Sequence, residues 1–248
     1  MSKCIDLNAD LGEGCAFDAE LMGVVTSCNI ACGGHAGDEA SMRTALTLAR
    51  DNGVAAGAHP SFPDRENFGR TVSDLSGAAL ESVLIEQVAE LKRYAEEIGL
   101  TLSHLKPHGA LYNMAAKDAD LSQSIVRVLS YVMPSATLFG PPQSQLELAA
   151  KRQNIVFVAE GFADRAYEAD GRLRDRKLAG AMIHAPEDQT RQALDIAKRQ
   201  SVTSFDGAML ALPVDTICVH GDTPNAVKAA RSIKAALEQN DISICRPG

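Results

Sequence analysis

Short β-branched or apolar runs alternate with longer amphipathic stretches about seven times along this chain, and that alternation limits its folds more than any other feature. The strand-like runs are "KCIDLN", "SCNIAC", "VAAGAH", "LTLSHLK", "ATLFG", "IVFVAE" and "DTICVHG". Between them apolar residues recur every three or four positions. Met42, Ala45, Leu46 and Ala49 form one such stripe in a helix that starts near Asp38 and stops at Asn52-Gly53. Leu80, Leu84, Leu91 and Ile98 form another between Ser76 and Ile98. Further helices are expected over 121–132, 145–152, 187–199 and 225–239. Strands joined through helices run parallel, and a parallel sheet needs its faces covered. The first βα turn lacks G-x-G-x-x-G, and no G-x-x-x-x-G-K-[ST] loop occurs anywhere, which disfavours a nucleotide-binding open sheet. With no composition break, residues 1–248 are expected to form one domain, an irregular, seven-stranded parallel (β/α) barrel.

Composition narrows the partners. A net charge of -8, with 24 basic against 32 acidic residues and no basic run longer than a pair, offers no footprint for nucleic acid. No apolar run approaches the roughly 20 residues needed to span a bilayer, and the N-terminus has no signal-peptide pattern. A cytoplasmic protein with no membrane association is therefore expected. The six cysteines are scattered, and the spacing of Cys28 and Cys32 fits neither a zinc knuckle nor a redox pair, so they read as small, reduced, buried hydrophobes.

In parallel α/β folds chemistry gathers at the C-terminal strand ends. Six of the seven predicted strands deliver ionisable groups there. The first carries Asp6, Asn8, Asp10 and Glu13, and the second leads through Gly33 and Gly34 to His35 and Asp38. The third ends at His59, the fourth in Lys106, His108, Tyr112 and Asn113, the sixth in Glu160, Asp164, Arg165 and Tyr167, and the seventh in His220 and Asp222. A period of two turns Ile5 and Leu7 outward and Asp6 and Asn8 to the barrel axis, where a buried carboxylate needs a counter-charge such as Lys106. His104 shares the Lys106 face and is a candidate for a supporting role, whereas His184 reads as structural. Glycines in "CGGHAGD" suit close approach of an anion to a helix N-terminus. Arg65 and Arg70 in "HPSFPDRENFGR" are placed to close over such a substrate. Asp10, His35 and His59 have the chemistry of a divalent metal site, although no H-x-x-x-H spacing supports it.

The blocks "DLNADLGEG", "NIACGGHAGD", "GAHPSFPDRENFGR", "LKPHGALYN", "EGFADRAYEADGRLRDR" and "ICVHGDTPNAV" run in order from residue 6 to residue 227. In this the chain resembles the LamB/YcsF family, the A component of bacterial ATP-dependent 5-oxoprolinase. The resemblance implies a barrel of the glycoside hydrolase/deacetylase type. It also implies conversion of 5-oxo-L-proline, ATP and water to L-glutamate, ADP and phosphate with partner subunits B and C, Mg2+ accompanying the nucleotide. Within that scheme Asp6, Asn8, Asp10, Glu13, His35, His59, Lys106 and His108 are expected to carry catalysis. Expected to bind substrate are Gly33, Gly34, Arg70, Tyr112, Asn113, Glu160, Asp164, Arg165, Tyr167, Arg176, His220 and Asp222. One of the acids or a histidine would activate water, Lys106 would stabilise the developing anion, and His108 would protonate the ring nitrogen. Two rival readings are a free-standing metal-dependent deacetylase or amidohydrolase and a non-catalytic ligand-binding subunit.

Overall fold

The computed structural model describes residues 3–221 and 225–247. In chain order the first half contains β1 (Lys3–Leu11), α1 (Asp18–Met22), β2 (Ser27–Ala31), α2 (Glu39–Asn52), β3 (Ala55–His59), α3 (Gly77–Glu97), β4 (His104–Leu105), α4 (Gly109–Ala115) and α5 (Ala119–Val132). The second half contains β5 (Thr137–Gly140), α6 (Gln145–Arg152), β6 (Phe157–Phe162), α7 (Pro186–Arg199), β7 (Ser201–Thr203), β8 (Met209–Ala211), β9 (Thr216–His220), α8 (Ala226–Gln239) and β10 (Ile242–Ile244).

Strands β1 to β6 pair in sequence order and β9 follows β6. β9 then pairs with β1, Asp6 opposite Thr216 through Asp10 opposite His220, and closes a seven-stranded parallel barrel. Along β1 the alternation is plain. Ile5, Leu7, Ala9 and Leu11 pack in the apolar layer beneath the helices, while Asp6, Asn8 and Asp10 hydrogen-bond across the interior to β2, β6 and β9. Leu46, Leu84, Leu91, Ile125, Leu129, Ile196 and Ile233 seal that layer from the helix side.

Several elements differ from expectation for local reasons. β4 is a two-residue ladder: Ser103 and Lys106 donate their N–H groups to the β3 carbonyls of Ala56 and Ala58, and Pro107 has no N–H with which to continue. The β7–β8 hairpin and the short helices α1 and α4 are too brief to show a period. β10 adds a parallel pairing to the first residues of β1, Lys3 opposite Ile242. There Cys4 and Cys245 face each other with Cα atoms 6.0 Å apart, a separation that a disulfide can span. The scattered spacing gave no sign of this proximity, which arises because a strand pairing at the two ends of the chain brings distant thiols together. Cys28, Cys32 and Cys218 are buried thiols, and Cys15 is a half-buried one.

Candidate active site

Polar side chains fill the barrel axis in layers. At the bottom, Asp6 is buried and accepts from Thr26 (2.7 Å), Ser27 (2.8 Å) and Thr216 (2.5 Å). Burial raises its pKa although the hydroxyls oppose it. Lys106 makes no ion pair with it, so Asp6 is held by hydroxyls, contrary to the expected counter-charge, and it lies two layers below the mouth.

In the middle layer Asn8 donates to Glu160 (3.0 Å) and Thr216 (2.7 Å) and accepts from Asn29 (2.7 Å). Asn29 also donates to Asp10 (2.8 Å) and accepts from His104 Nε2 (2.8 Å). A side chain at residue 57 would collide with the His104 ring, so β3 leaves a gap there, Gly57. Lys106 spans the layers, 2.9 Å from Asp10 Oδ1, 2.7 Å from Glu160 Oε1 and 3.2 Å from Cys218 Sγ. Burial alone would lower the Lys106 pKa, but Asp10 and Glu160 hold it well above the usual range. Its ammonium is committed to these partners and sealed below the mouth, so the expected stabilisation of an external anion by Lys106 has no free N–H behind it. The Tyr112 hydroxyl and Glu160 Oε2 are neighbours here, both buried without an aligned partner.

Two centres occupy the mouth, with Asp10 between them. In the first, His35 Nε2 lies 2.9 Å from Glu13, and His108 Nδ1 lies 2.9 Å from His59 Nε2 and 3.4 Å from Glu13. The rings of His35 and His108 stack at 3.6 Å. Phe68, in the left-handed region at φ 56, turns its carbonyl to accept from His108 Nε2 (3.0 Å). Burial, followed by the neighbouring histidine His59, pushes the His108 pKa well down. His108 Nε2 therefore donates to the Phe68 carbonyl, while its Nδ1 faces His59.

In the second centre His220 Nδ1 lies 2.7 Å from Asp164, and His220 Nε2 is 3.1 Å from Arg176 and 3.9 Å from Asp10. Burial would raise the Asp164 pKa, but His220 and Arg176 hold it below the usual range. An ionised Asp164 accepts from Nδ1–H, leaving the Nε2 lone pair facing Arg176 and the mouth. Arg165 is buried, donates to the Arg174 carbonyl (2.6 Å), and leaves Nε without a partner. Burial and the nearby Arg176 lower its pKa to about 10. Cationic groups gathered this way suit an anionic ligand.

Other expected site residues have local duties. Arg65 donates to the carbonyls of Gly33 (2.9 Å) and Gly37 (2.8 Å) and pins that loop, leaving less of it to meet a substrate. Gly34 packs against Ser61 and Gln87, leaving no space for a ligand at its Cα, and Gly33 turns the chain at φ 98. Asp38 caps α2 through Ser41. Arg70 is exposed, with its guanidinium 4.9 Å over the Phe68 ring. Asn113 is exposed and donates to the Gly109 carbonyl within its own helix. The Tyr167 hydroxyl accepts from the Phe162 N–H (2.8 Å). His184 is exposed, and Asp222 lies outside the described residues.

The sequence reading missed Asn29, Thr216, Cys218 and Phe68. The first three share the inward parity of Ser27 and His220 and were open to the same period-of-two reasoning. Phe68 acts through its backbone carbonyl, for which side-chain chemistry gives no signal.

A closed parallel barrel with titratable groups from β1, β3, β4, β6 and β9 at or near one end is the class of α/β barrel that carries its site at the C-terminal mouth. Within that class the chain belongs to the LamB/YcsF family, which it matches over residues 5–247. It is similar to a lactam utilization protein from Thermus thermophilus, with 36% identity, a TM-score of 0.90, and 97% of this chain and 98% of the other covered. It shares its fold with a T48 deacetylase (16% identity, TM-score 0.51, 98% and 87% covered). The same holds for the catalytic domain of a peptidoglycan N-acetylglucosamine deacetylase from Eubacterium rectale (10% identity, TM-score 0.52, 100% and 90% covered). Among the described residues no helix is long and apolar enough to cross a membrane.

Proposed function

We propose that this chain is the A component of an ATP-dependent 5-oxoprolinase and opens the activated ring of 5-oxo-L-proline in the cytoplasm. The observation that carries this reading is its 36% identity, over 97% of its length, to a lactam utilization protein. A five-membered lactam is a stable amide, so phosphorylating its oxygen turns a poor electrophile into a good one. This chain lacks a phosphate-binding loop motif. Subunits B and C are therefore assigned the phosphorylation, with ATP and its Mg2+. Two waters complete the reaction: one adds to the activated ring carbon, and the other hydrolyses the acyl phosphate left when the C–N bond breaks.

His220 is the general base in this scheme. Asp164 holds the proton on Nδ1, and Nε2 takes one from water once substrate draws Arg176 away. The same nitrogen returns that proton to the departing ring nitrogen, the role expected of His108 from sequence. Arg165 and Arg176 receive the substrate carboxylate or the phosphoryl group.

The test is glutamate release from 5-oxoproline by this chain alone, by B and C together, and by all three, each with and without ATP. Release that requires all three and ATP supports the reading. Phosphorylation of 5-oxoproline by this chain alone overturns the division of labour. Release by this chain without ATP favours the second reading, an amidohydrolase, to which the gathering of Glu13, His59 and His108 at the mouth lends support.

A further inference from the structure

The histidine centre contains an electrostatic conflict that its own hydrogen bonds define. A backbone carbonyl only accepts, so the ring nitrogen facing one carries the proton. His59 Nδ1 is 2.8 Å from the Lys106 carbonyl and His108 Nε2 is 3.0 Å from the Phe68 carbonyl. In the neutral rings the remaining nitrogens, His59 Nε2 and His108 Nδ1, are bare lone pairs, and they face each other at 2.9 Å. Glu13 Oε1 completes a triangle with them at 3.4 Å from His108 and 3.9 Å from His59, and Asp10 Oδ2 lies 3.4 Å from His59 Nε2. Electron pairs from three or four groups thus converge on one small space, and only a cation there removes the repulsion.

We propose that Glu13, His59 and His108 bind a divalent transition-metal ion of the zinc class, with Asp10 Oδ2 at its border. Metal–ligand arms of about 2.0–2.1 Å give a tetrahedron edges of about 3.3 Å, and the observed donor separations bracket that value. Two imidazoles and a carboxylate suit zinc and its first-row neighbours better than magnesium or calcium. The carbonyls behind both rings supply the outer hydrogen bonds that orient ligating histidines. His35 acts as a positioning residue: its Nε2 donates to Glu13 while its ring stacks on His108. The donors differ from the Asp10, His35 and His59 set read from sequence because Asp10 Oδ1 is already countered by Lys106, and because His35, although gathered with the other three, spends its Nε2–H on Glu13. A second gathering, Asp10, Cys218 and His220, needs no metal, since the Lys106 ammonium stands beside it, bonded to both Asp10 and Cys218.

The same space also accommodates a proton shared between the two rings, and the experiment separates the two cations. The full chain is stripped with EDTA and titrated with zinc by calorimetry. It is then loaded with cobalt(II), whose visible absorption reports nitrogen and oxygen ligation without reference to turnover. One zinc per chain is expected, weakened about 100-fold or more in His108→Ala and in Glu13→Gln. His220→Asn keeps the native affinity. Absence of saturable binding by the native chain, or unchanged affinity in both ligand variants, overturns the proposal. So does a histidine nitrogen-15 NMR spectrum of the zinc-treated native chain that shows a proton on His59 Nε2 or His108 Nδ1.

Discussion

His220 offers a lone pair to the mouth only while Asp164 keeps the ring proton on Nδ1, so the two residues stand or fall together. Asp164→Asn and His220→Asn are each expected to lower kcat for glutamate release by the three-subunit mixture about 10²–10⁴-fold. Their KM should change little, because neither is assigned to hold the substrate; a loss confined to KM would remove His220 from the chemistry. His104 makes a second residue-level prediction. Burial pushes its pKa down to about 3, whereas an unfolded histidine titrates near 6.5. Below about pH 6.5 the unfolded chain therefore binds a proton that the native chain refuses. Stability falls as pH falls, by up to about 1.4 kcal/mol per pH unit until the native ring titrates. Urea denaturation at pH 7 and pH 5 checks this against His104→Gln, whose stability should fall less over the same interval.

Elements are set by local chemistry where they are long and by their neighbours where they are short. Asp38 Oδ1 accepts from the Ser41 N–H, Ser41 Oγ accepts in turn from the Asp38 N–H, and Gly53 ends α2 in the left-handed region. Asp38→Ala should cost about 1 kcal/mol in denaturation and leave glutamate release unchanged, since the side chain serves the helix and not the mouth. Gly57 belongs to β3 but its size is dictated by β4. Gly57→Ala should destabilise by about 1–3 kcal/mol, because its methyl would meet the buried His104 ring. A midpoint unchanged from the native chain would show that the ring can move aside. The periodicity of α2 and α3 was legible in sequence because a helix of 14 or 21 residues repeats its stripe several times. The three-residue strands of the β7–β8 hairpin repeat nothing, and only their pairing defines them.

At the scale of the whole molecule, Lys106, just past the end of β4, is tied across the axis to β1 and β6 through Asp10 and Glu160. Lys106→Met would leave two buried carboxylates without their shared counter-charge. A loss of about 3–5 kcal/mol, or failure to fold, is expected, with partial recovery in Lys106→Met/Asp10→Asn. No loss in the single variant would mean that the interior is wetter than its burial indicates. By itself the sequence determined the alternation of strands and helices, hence the parallel barrel, and which strand ends carry acids and histidines, since periods of two and 3.6 and strand-end chemistry are properties of neighbours along the chain. The tertiary structure alone decided the pairings. It gave Asp6 to hydroxyls and Lys106 to Asp10 and Glu160, set His59 Nε2 and His108 Nδ1 face to face, and brought Cys4 beside Cys245. Those outcomes depend on barrel closure and register, which bring together groups such as Asp10 and His220 from opposite ends of the chain. A charge's partner, and so its pKa and its role, is fixed by distance in space, which local sequence does not encode.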